Sequence, residues 1–343
     1  MRVLRLHQPR DLRMHDEPKP EPKDGEALVR IASVGICASD VHWFKDGRIG
    51  TTKLTEPLVL GHEASGVVEA VGDGVDGIKP GMRVAIEPSK PCGRCEFCRS
   101  GNMNVCPDVL FFGTPPTDGC LRDYVTWPVQ LLLPVPDALT MDEAAMTEPL
   151  AIGIYAVKLA QVEPNSSAAV LGAGAVGLSV LQALRTKGVE KIVVSEPIES
   201  RRSLALKLGA YAACSPEDVG SVCRDLTNGK GIDIVFECAG VAEAVAESSR
   251  LARVLGKVMV VGIPDEDSYI FDASASRRKQ LTAIFVRRSN QTTEEAITLT
   301  EKRLVDIASY ATHTFTLEQA EEALKLAESK ADGVLRAVVH VSS

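Results

Sequence analysis

Aromatic residues are scarce in this sequence: eight phenylalanines, five tyrosines and two tryptophans make up 4% of its 343 residues. A protein that holds nucleic acid by stacking bases needs more such faces, so a stacking platform is not expected. Positive charge is also short. The 46 Asp and Glu outnumber the 38 Lys and Arg, for a formal net charge of −8. That leaves no basic footprint for a phosphate backbone or an anionic membrane. No apolar run reaches the roughly 20 residues of a membrane span. The most apolar segment, AAVLGAGAVGL at 168–178, is short and rich in glycine. The opening stretch, MRVLRLHQPR, is broken by charge every few residues and has no apolar secretory core. These absences lead to the expectation of a cytoplasmic protein acting on a small molecule, with neither nucleic acid nor membrane as partner.

What is present has two textures. Up to about residue 150 the chain is rich in glycine, proline and short alternating stretches, such as EALVRIASVG, ASGVVEAVG, MRVAIEP and LRDYVTW. These read as antiparallel strands joined by turns. From about 165, apolar strand candidates (AAVLGAG, KIVVSEP, GIDIVFECAG, KVMVVGIP, LTAIFV) alternate with helical stretches, the last being VAEAVAESSRLARVLG. Such alternation predicts an α/β fold with a parallel, doubly wound sheet. Two helical stretches and a final strand, VLRAVVHV, close the chain. The expected organisation is 1–150 as a β-rich domain, 151–286 as a nucleotide domain, and 287–343 as a return to the first. In MTEPLAIG, Pro149 and Gly153 suggest a helix starting near the boundary.

LGAGAVG sets Gly172, Gly174 and Gly177 in a GxGxxG frame between a strand and a helix. The first glycine permits a tight turn, the second lets backbone approach a pyrophosphate, and the third lets helix pack on strand. The pyrophosphate would rest on the helix N-terminus. Glu196, 19 residues past Gly177, can accept from a ribose 2′-hydroxyl and would repel a 2′-phosphate, which favours NAD over NADP. Arg201 is a counterweight, since it could shield a phosphate.

PCGRCEFCRSGNMNVC supplies Cys92, Cys95, Cys98 and Cys106. In a reducing compartment, four thiolates at this spacing suit a closed tetrahedral zinc site, which clips a loop and does no catalysis. An iron–sulfur cluster is the other reading, and Pro107 after the last cysteine suits it, but the spacing favours zinc. Further candidates are dispersed: Cys37, Ser39, Asp40 and His42 in GICASDVH, His62 and Glu63 in LGHEASG, and Glu148 in TEPLA. Singly each is weak. Together they could meet the needs of a catalytic zinc, three protein ligands of mixed character and one exchangeable position. A carboxylate such as Glu148, flanked by small aliphatic residues, is costly to bury unless something pairs with it.

GHExxG, CxSD, the four-cysteine lobe and GxGxxG, in this order, resemble the zinc-dependent medium-chain dehydrogenase/reductase family over essentially the whole chain. SDVHWFKDGRIG, FFGTPPTDGCLRDY and EPLAIG look like its sorbitol (polyol) dehydrogenase branch. The resemblance implies a GroES-like β-barrel catalytic domain, with the zinc lobe at about 90–107, and a Rossmann domain. It implies two zinc ions per chain, one catalytic and one structural, NAD as cofactor, and a dimer or tetramer. It assigns Cys37, His62, Glu63 and Glu148 to the catalytic zinc, and Asp40 to orienting the histidine. Ser39 and His42 become the proton route. Cofactor contacts are expected at Gly172, Gly174, Val176, Gly177, Glu196, Arg201, Val261, Gly262, Ile263, Phe285, Val286 and Arg287. Substrate contacts are expected at Trp43, Phe112, Thr114, Glu148, Arg287 and Arg288. The activity implied is oxidation of a secondary hydroxyl of a polyol or cyclitol to the ketone.

The chain also departs from that branch. Val286, Arg287 and Arg288 stand where it has an aromatic followed by Arg-Tyr, and Trp43 replaces a tyrosine. The FFGTPP loop is one residue shorter. The extra arginine suits a larger polyol, a cyclitol or an acidic substrate, and equally a solvated charge. Rival readings are a zinc dehydrogenase for threonine or simple secondary alcohols, a zincless reductase of the same fold, and a non-catalytic zinc-ribbon interaction module. Cys120, Cys214, Cys223 and Cys238 have no assigned role, though Cys238 ends a Rossmann strand.

Overall fold

The computed structural model describes residues 1–264 and 267–342. The chain divides into two compact units. The first comprises 1–148, 293–303 and 307–343, and the second 149–292 and 304–306.

The first unit is built on a mixed sheet. In spatial order its strands are Leu132–Pro134, Arg83–Ile86, Glu63–Val71, Glu26–Gly35, Arg336–His340 and Ala311–Thr316, with Tyr124–Pro128 also paired to Glu26–Gly35. The last two of that series run parallel, and the other pairs antiparallel. Val29, Ile31 and Val34 from the central strand bury against Leu60, Val125, Val339 and the ring of Phe44 in one apolar cluster. The final strand therefore belongs to the β-rich unit, because its alternating apolar face completes this core.

Two helices place the residues of interest here. Helix Ala38–Asp46 is capped by Cys37, whose backbone N–H donates to Asp40 Oδ2 at 2.9 Å, and it ends at Gly47 with φ +61°. Left-handed φ at a helix end is what glycine supplies at no steric cost. Helix Met141–Ala160 begins well before Pro149, which lies inside it. The signal for its start is TMDE at 140–143: Glu143 N–H donates to Thr140 Oγ1 at 3.1 Å, and Thr140 N–H to Glu143 Oε2 at 2.8 Å. That reciprocal capping box outweighs the proline as a boundary mark.

The second unit holds six parallel strands, in the order Ala212–Cys214, Lys191–Ser195, Ser167–Leu171, Ile232–Glu237, Ala252–Val260 and Thr282–Phe285. The expected doubly wound sheet is thus observed, with the short strand Ala212–Cys214 added at one edge. Val193, Val235 and Val258 are fully or nearly fully buried, as strands covered on both faces require. The helix read from VAEAVAESSRLARVLG stops at Leu251, and Ala252 already pairs with Ile232. An irregularity follows, with Leu255 at φ +59°, before the ladder resumes at Lys257.

Candidate functional site

In the first unit, Cys37 and the adjacent pair His62 and Glu63 bring their donor atoms together. Cys37 Sγ, a ring nitrogen of His62 and a carboxylate oxygen of Glu63 lie within 4.8 Å of one another. Cys37 precedes its helix, while His62 and Glu63 lead into strand Glu63–Val71. Asp40 ties these segments, since its Oδ1 also accepts from Gly61 N–H at 2.9 Å. Its Oδ1 lies 3.6 Å from His62 Nδ1, so the ring turns Nε2 toward the cluster. Burial works to raise the Asp40 carboxyl, but His62 and the two backbone N–H donors overcome it and hold it below the ordinary range. Ser39 Oγ lies 3.5 Å from His62 Nε2, and the Phe111 ring is tilted against the imidazole at 5.1 Å.

Arg336, read from sequence only as part of a strand, reaches this cluster. Its Nη2 lies 2.6 Å from Glu63 Oε1, and its Nη1 donates to the Ile36 carbonyl at 3.1 Å. Both partners are almost wholly buried, at 9% and 1% side-chain exposure. Burial opposes the charge on Arg336, and Glu63, Cys37 and Glu148 together offset it. A lone arginine in an apolar strand was the available signal, because a buried charge demands a partner. Gly35 leaves the room required: a Cβ there would meet Met146 Cε at 2.4 Å and Glu63 Oε2 at 2.5 Å.

Two carboxylate oxygens of this site, Glu63 Oε2 and Glu148 Oε2, are buried with no hydrogen-bond partner among the described residues. Burial, with Glu63 and Glu87 adding to it, pushes the Glu148 carboxyl up to about 8. Glu148 is not one of the three converging donors. A cation fits this donor set, since orphaned buried carboxylate oxygens beside a thiol and an imidazole are otherwise hard to stabilise.

The four cysteines of the lobe also converge. Sulfur separations are 3.4 Å for Cys95–Cys98, 3.9 Å for Cys95–Cys106 and 4.0 Å for Cys92–Cys98. Four thiolates about 2.3 Å from a central zinc would sit about 3.8 Å apart at tetrahedral angles. Backbone N–H groups of Arg94 and Cys95 point at the Cys92 sulfur and bring its pKa down to about 6, favouring the thiolate a metal needs.

In the second unit the expected cofactor residues gather at the carboxyl ends of neighbouring strands. The glycine turn follows Leu171, Glu196 follows Ser195, Val261, Gly262 and Ile263 follow Val260, and Val286 and Arg287 follow Phe285. Gly172 sits at φ +98°, and a Cβ at Gly177 would lie 1.9 Å from the Gly172 carbonyl oxygen. A Cβ at Gly174 would meet nothing within 4 Å, so the turn leaves open space at the head of helix Ala175–Thr186. Glu196 accepts Ala173 N–H at 2.8 Å and Ile198 N–H at 3.0 Å, which fixes its carboxylate to the turn itself. Val176 and Arg201 are half-buried, while Ile263, Phe285 and Arg287 are exposed.

The residues expected to meet substrate are differently placed. Thr114 is half-buried beside the Pro115–Pro116 cis bond. Trp43 and Phe112 are each only 1% exposed and sit in the apolar core, Phe112 stacked on Trp127 at 3.9 Å. They offer no open face, because ring burial here completes the first unit's core. Arg288 is half-buried at φ +56°, not the fully solvated charge that was one of its readings. His42 is half-buried on the same helix as Ser39. Among the described residues, no helix is long and apolar enough to cross a membrane.

Residues 23–137 match the alcohol dehydrogenase GroES-like domain family, and residues 175–302 the zinc-binding dehydrogenase family. A sorbitol dehydrogenase of Bacillus subtilis is 32% identical over 99% of this chain and 97% of its own. One from Gallus gallus is 38% identical over 93% of this chain and 91% of its own. Among solved structures, an Escherichia coli oxidoreductase of unknown specificity superposes with a TM-score of 0.95 at 33% identity, covering 100% and 99% of the two chains. An alcohol dehydrogenase from E. coli CFT073 in complex with NADH gives 0.90 at 26%, covering 99% of each. Galactitol-1-phosphate dehydrogenase from E. coli gives 0.90 at 25%, covering 99% and 100%.

Proposed function

Because the chain belongs to the zinc-dependent medium-chain dehydrogenase/reductase family, we propose that it oxidises a secondary hydroxyl of a polyol to the ketone with NAD⁺ as hydride acceptor. Sorbitol, xylitol and related sugar alcohols or cyclitols are the substrate class. The observation that carries this reading is a three-donor cluster, with His62 and Glu63 buried and Cys37 half-buried, accompanied by a further buried carboxylate, Glu148, that has an orphaned oxygen among the described residues. Cys37, His62 and Glu63 would hold a catalytic zinc, with Glu148 as the exchangeable carboxylate, and the four-cysteine lobe a structural one. When bound, the catalytic zinc supplies Lewis acidity that lowers the pKa of a substrate hydroxyl.

The chain's own residues do the rest. Ser39 Oγ, 3.5 Å from His62 Nε2, receives the hydroxyl proton. His42, three residues further along the same helix, passes it toward solvent. Glu148, a carboxylate where other family members place a thiolate, keeps the pocket polar, which suits several hydroxyls on one substrate. Thr114 is assigned to a further substrate hydroxyl, with Trp43 and Phe112 shaping the first unit from within its core. The glycine turn would take the pyrophosphate, and Glu196 the adenosine ribose, where its negative charge would reject a 2′-phosphate. Val176, Arg201, Val261, Gly262, Ile263, Phe285 and Val286 would contact the rest of NAD. The sorbitol dehydrogenase relatives support the polyol class, and a neighbour solved with NADH supports a nicotinamide cofactor. A homodimer or homotetramer in the cytoplasm completes the reading, with subunit count to be read by sedimentation.

The test is purified enzyme with NAD⁺ or NADP⁺ against alditols, cyclitols, a sugar-alcohol phosphate, sugar acids, threonine and simple secondary alcohols, followed by reduced-nucleotide absorbance. Polyol-dependent NADH formation that collapses in Glu148→Gln supports the proposal. Activity confined to threonine or simple alcohols removes the polyol assignment. No reduction with any alcohol moves weight to an interaction module.

A further inference from the structure

The second unit has a cavity of about 440 Å³ that the dehydrogenase reading does not use. It lies where strands Ile232–Glu237 and Ala252–Val260 begin and helices Val219–Leu226 and Ala242–Leu251 end. The glycine turn, Glu196 and the other cofactor positions lie at the opposite, carboxyl ends of the same parallel sheet. Strand Ile232–Glu237 has six residues, so the two ends are separated by about 20 Å. A dinucleotide on the glycine turn leaves this cavity open.

The lining is strongly one-signed in a protein whose net charge is negative. Arg224, Lys230, Arg250, Arg253 and Lys279 face it, against one carboxylate, Glu247. Some of these cations have local work. Arg250 pairs with Glu247 at 3.1 Å and Asp272 at 3.4 Å. Lys279 Nζ donates to the carbonyls of Ser249, Arg250 and Ala252 at 2.6–3.0 Å, where the helix Ala242–Leu251 ends. Arg253 gives Nε to Asp233 at 2.5 Å and Nη1 to the Val254 carbonyl at 2.7 Å, which leaves Nη2 without an acceptor among the described residues. Arg224 and Lys230 are different. Neither side chain makes a hydrogen bond or ion pair with any described residue. Lys230 is held between Gly229 at φ +78° and Gly231 at φ +86°, and a Cβ at Gly231 would strike Arg253 Cα at 2.9 Å. The loop carrying one free cation is therefore packed tightly on the backbone of the residue carrying the Arg253 fork.

We propose that this cavity is a second binding site, for a small phosphorylated polyhydroxy compound of the sugar-phosphate class. The guanidinium forks of Arg224 and Arg253 suit the tetrahedral oxygens of a phosphate monoester, and Lys230 adds a point charge. The volume is within the range of small-ligand sites and exceeds what inorganic phosphate needs. No lining residue is aromatic, so a nucleotide base would find no ring to stack on. Glu247 offers a carboxylate acceptor to sugar hydroxyls.

The experiment is calorimetric titration of the full-length protein with fructose 6-phosphate, fructose and inorganic phosphate, each with and without saturating NADH. The variant is Arg224→Ala with Lys230→Ala, two exposed positions outside the proposed catalytic and cofactor sets. The expected result is fructose 6-phosphate binding that persists with NADH bound and weakens as salt rises. It should weaken at least about tenfold in the double variant, as loss of about 1.4 kcal/mol of phosphate contact implies. Fructose alone should not bind there. Absence of binding, displacement by NADH, or unchanged affinity in the double variant would each overturn the proposal. Inorganic phosphate binding as tightly as the sugar phosphate would overturn the sugar-phosphate assignment. Because the readout is binding, a dehydrogenase specific for another substrate leaves the test intact.

Discussion

The guanidinium of Arg336 and the carboxylate of Glu63 form a buried ion pair, 2.6 Å apart, between the chain's last strand and the start of strand Glu63–Val71. One oxygen of Glu63 is thereby committed to Arg336, while the other has no hydrogen-bond partner among the described residues. Removing the arginine would strand a buried carboxylate. Arg336→Met is expected to lower unfolding free energy by about 3–5 kcal/mol, read by urea denaturation. The doubly substituted Arg336→Met, Glu63→Gln protein should recover much of that loss, because no lone buried charge remains. A single variant as stable as the parent would show that the pair is not the structural clamp described here.

The two cysteine-containing sites should separate by metal content. The parent protein is expected to carry two zinc ions per chain by elemental analysis. Cys98→Ser should carry about one and become sensitive to proteolysis between residues 90 and 107. Cys37→Ser should also carry about one, retain a protease-resistant lobe, and lose alcohol oxidation. Equal protease sensitivity in both variants would contradict independent sites.

Two glycines of the same turn should fail in different ways. At Gly177 a methyl would lie 1.9 Å from a carbonyl oxygen, whereas at Gly174 it would project into open space at ordinary dihedrals, φ −72° and ψ 179°. Gly177→Ala is expected to lower the melting temperature, since the backbone must shift to admit it. Gly174→Ala should leave the melting temperature unchanged and weaken NADH binding about tenfold or more, as nucleotide fluorescence would register. If Gly174→Ala binds NADH normally, the pyrophosphate does not approach that backbone.

Glu196 holds two backbone amides as well as the position expected to face the ribose. Glu196→Ala orphans both amides, each at a cost of about 1–3 kcal/mol where buried. The variant is expected to lose stability and to narrow the preference for NAD⁺ over NADP⁺, measured as a ratio of kcat/KM values. An unchanged ratio in a folded variant would remove Glu196 from cofactor selection.

These residues also show what kind of feature a sequence makes legible. The glycine turn and the four-cysteine lobe are local: their spacing encodes their geometry, and the structure reproduces both. The parallel sheet is legible because its central strands, buried on both faces, are nearly continuous apolar runs. Arg336 is legible only in part: a lone arginine in an apolar strand signals that a partner exists, but that partner, Glu63, is 273 positions away and nothing local names it. Trp43 and Phe112 looked like substrate contacts by position in a motif, but burial depends on contacts made by the rest of the unit. Helix Met141–Ala160 starts ahead of Pro149 for a simpler reason: the reciprocal cap of Thr140 and Glu143 sets its boundary, and the proline lies inside it.

The cysteine lobe has almost no apolar interior. Its helix Glu96–Arg99 buries none of its residues, and Phe97, Val105 and Leu110 are each more than a third exposed. The force that condenses the rest of the first unit therefore has little hold on this segment, and ligation must supply its cohesion. A newly made chain would mature in two steps of different character. Its apolar cores would close spontaneously in water, whereas the lobe would wait on the supply of zinc. In a metal-starved cell, full-length molecules would accumulate with sound cores and an open loop at residues 92–106, a population that total protein abundance would not reveal.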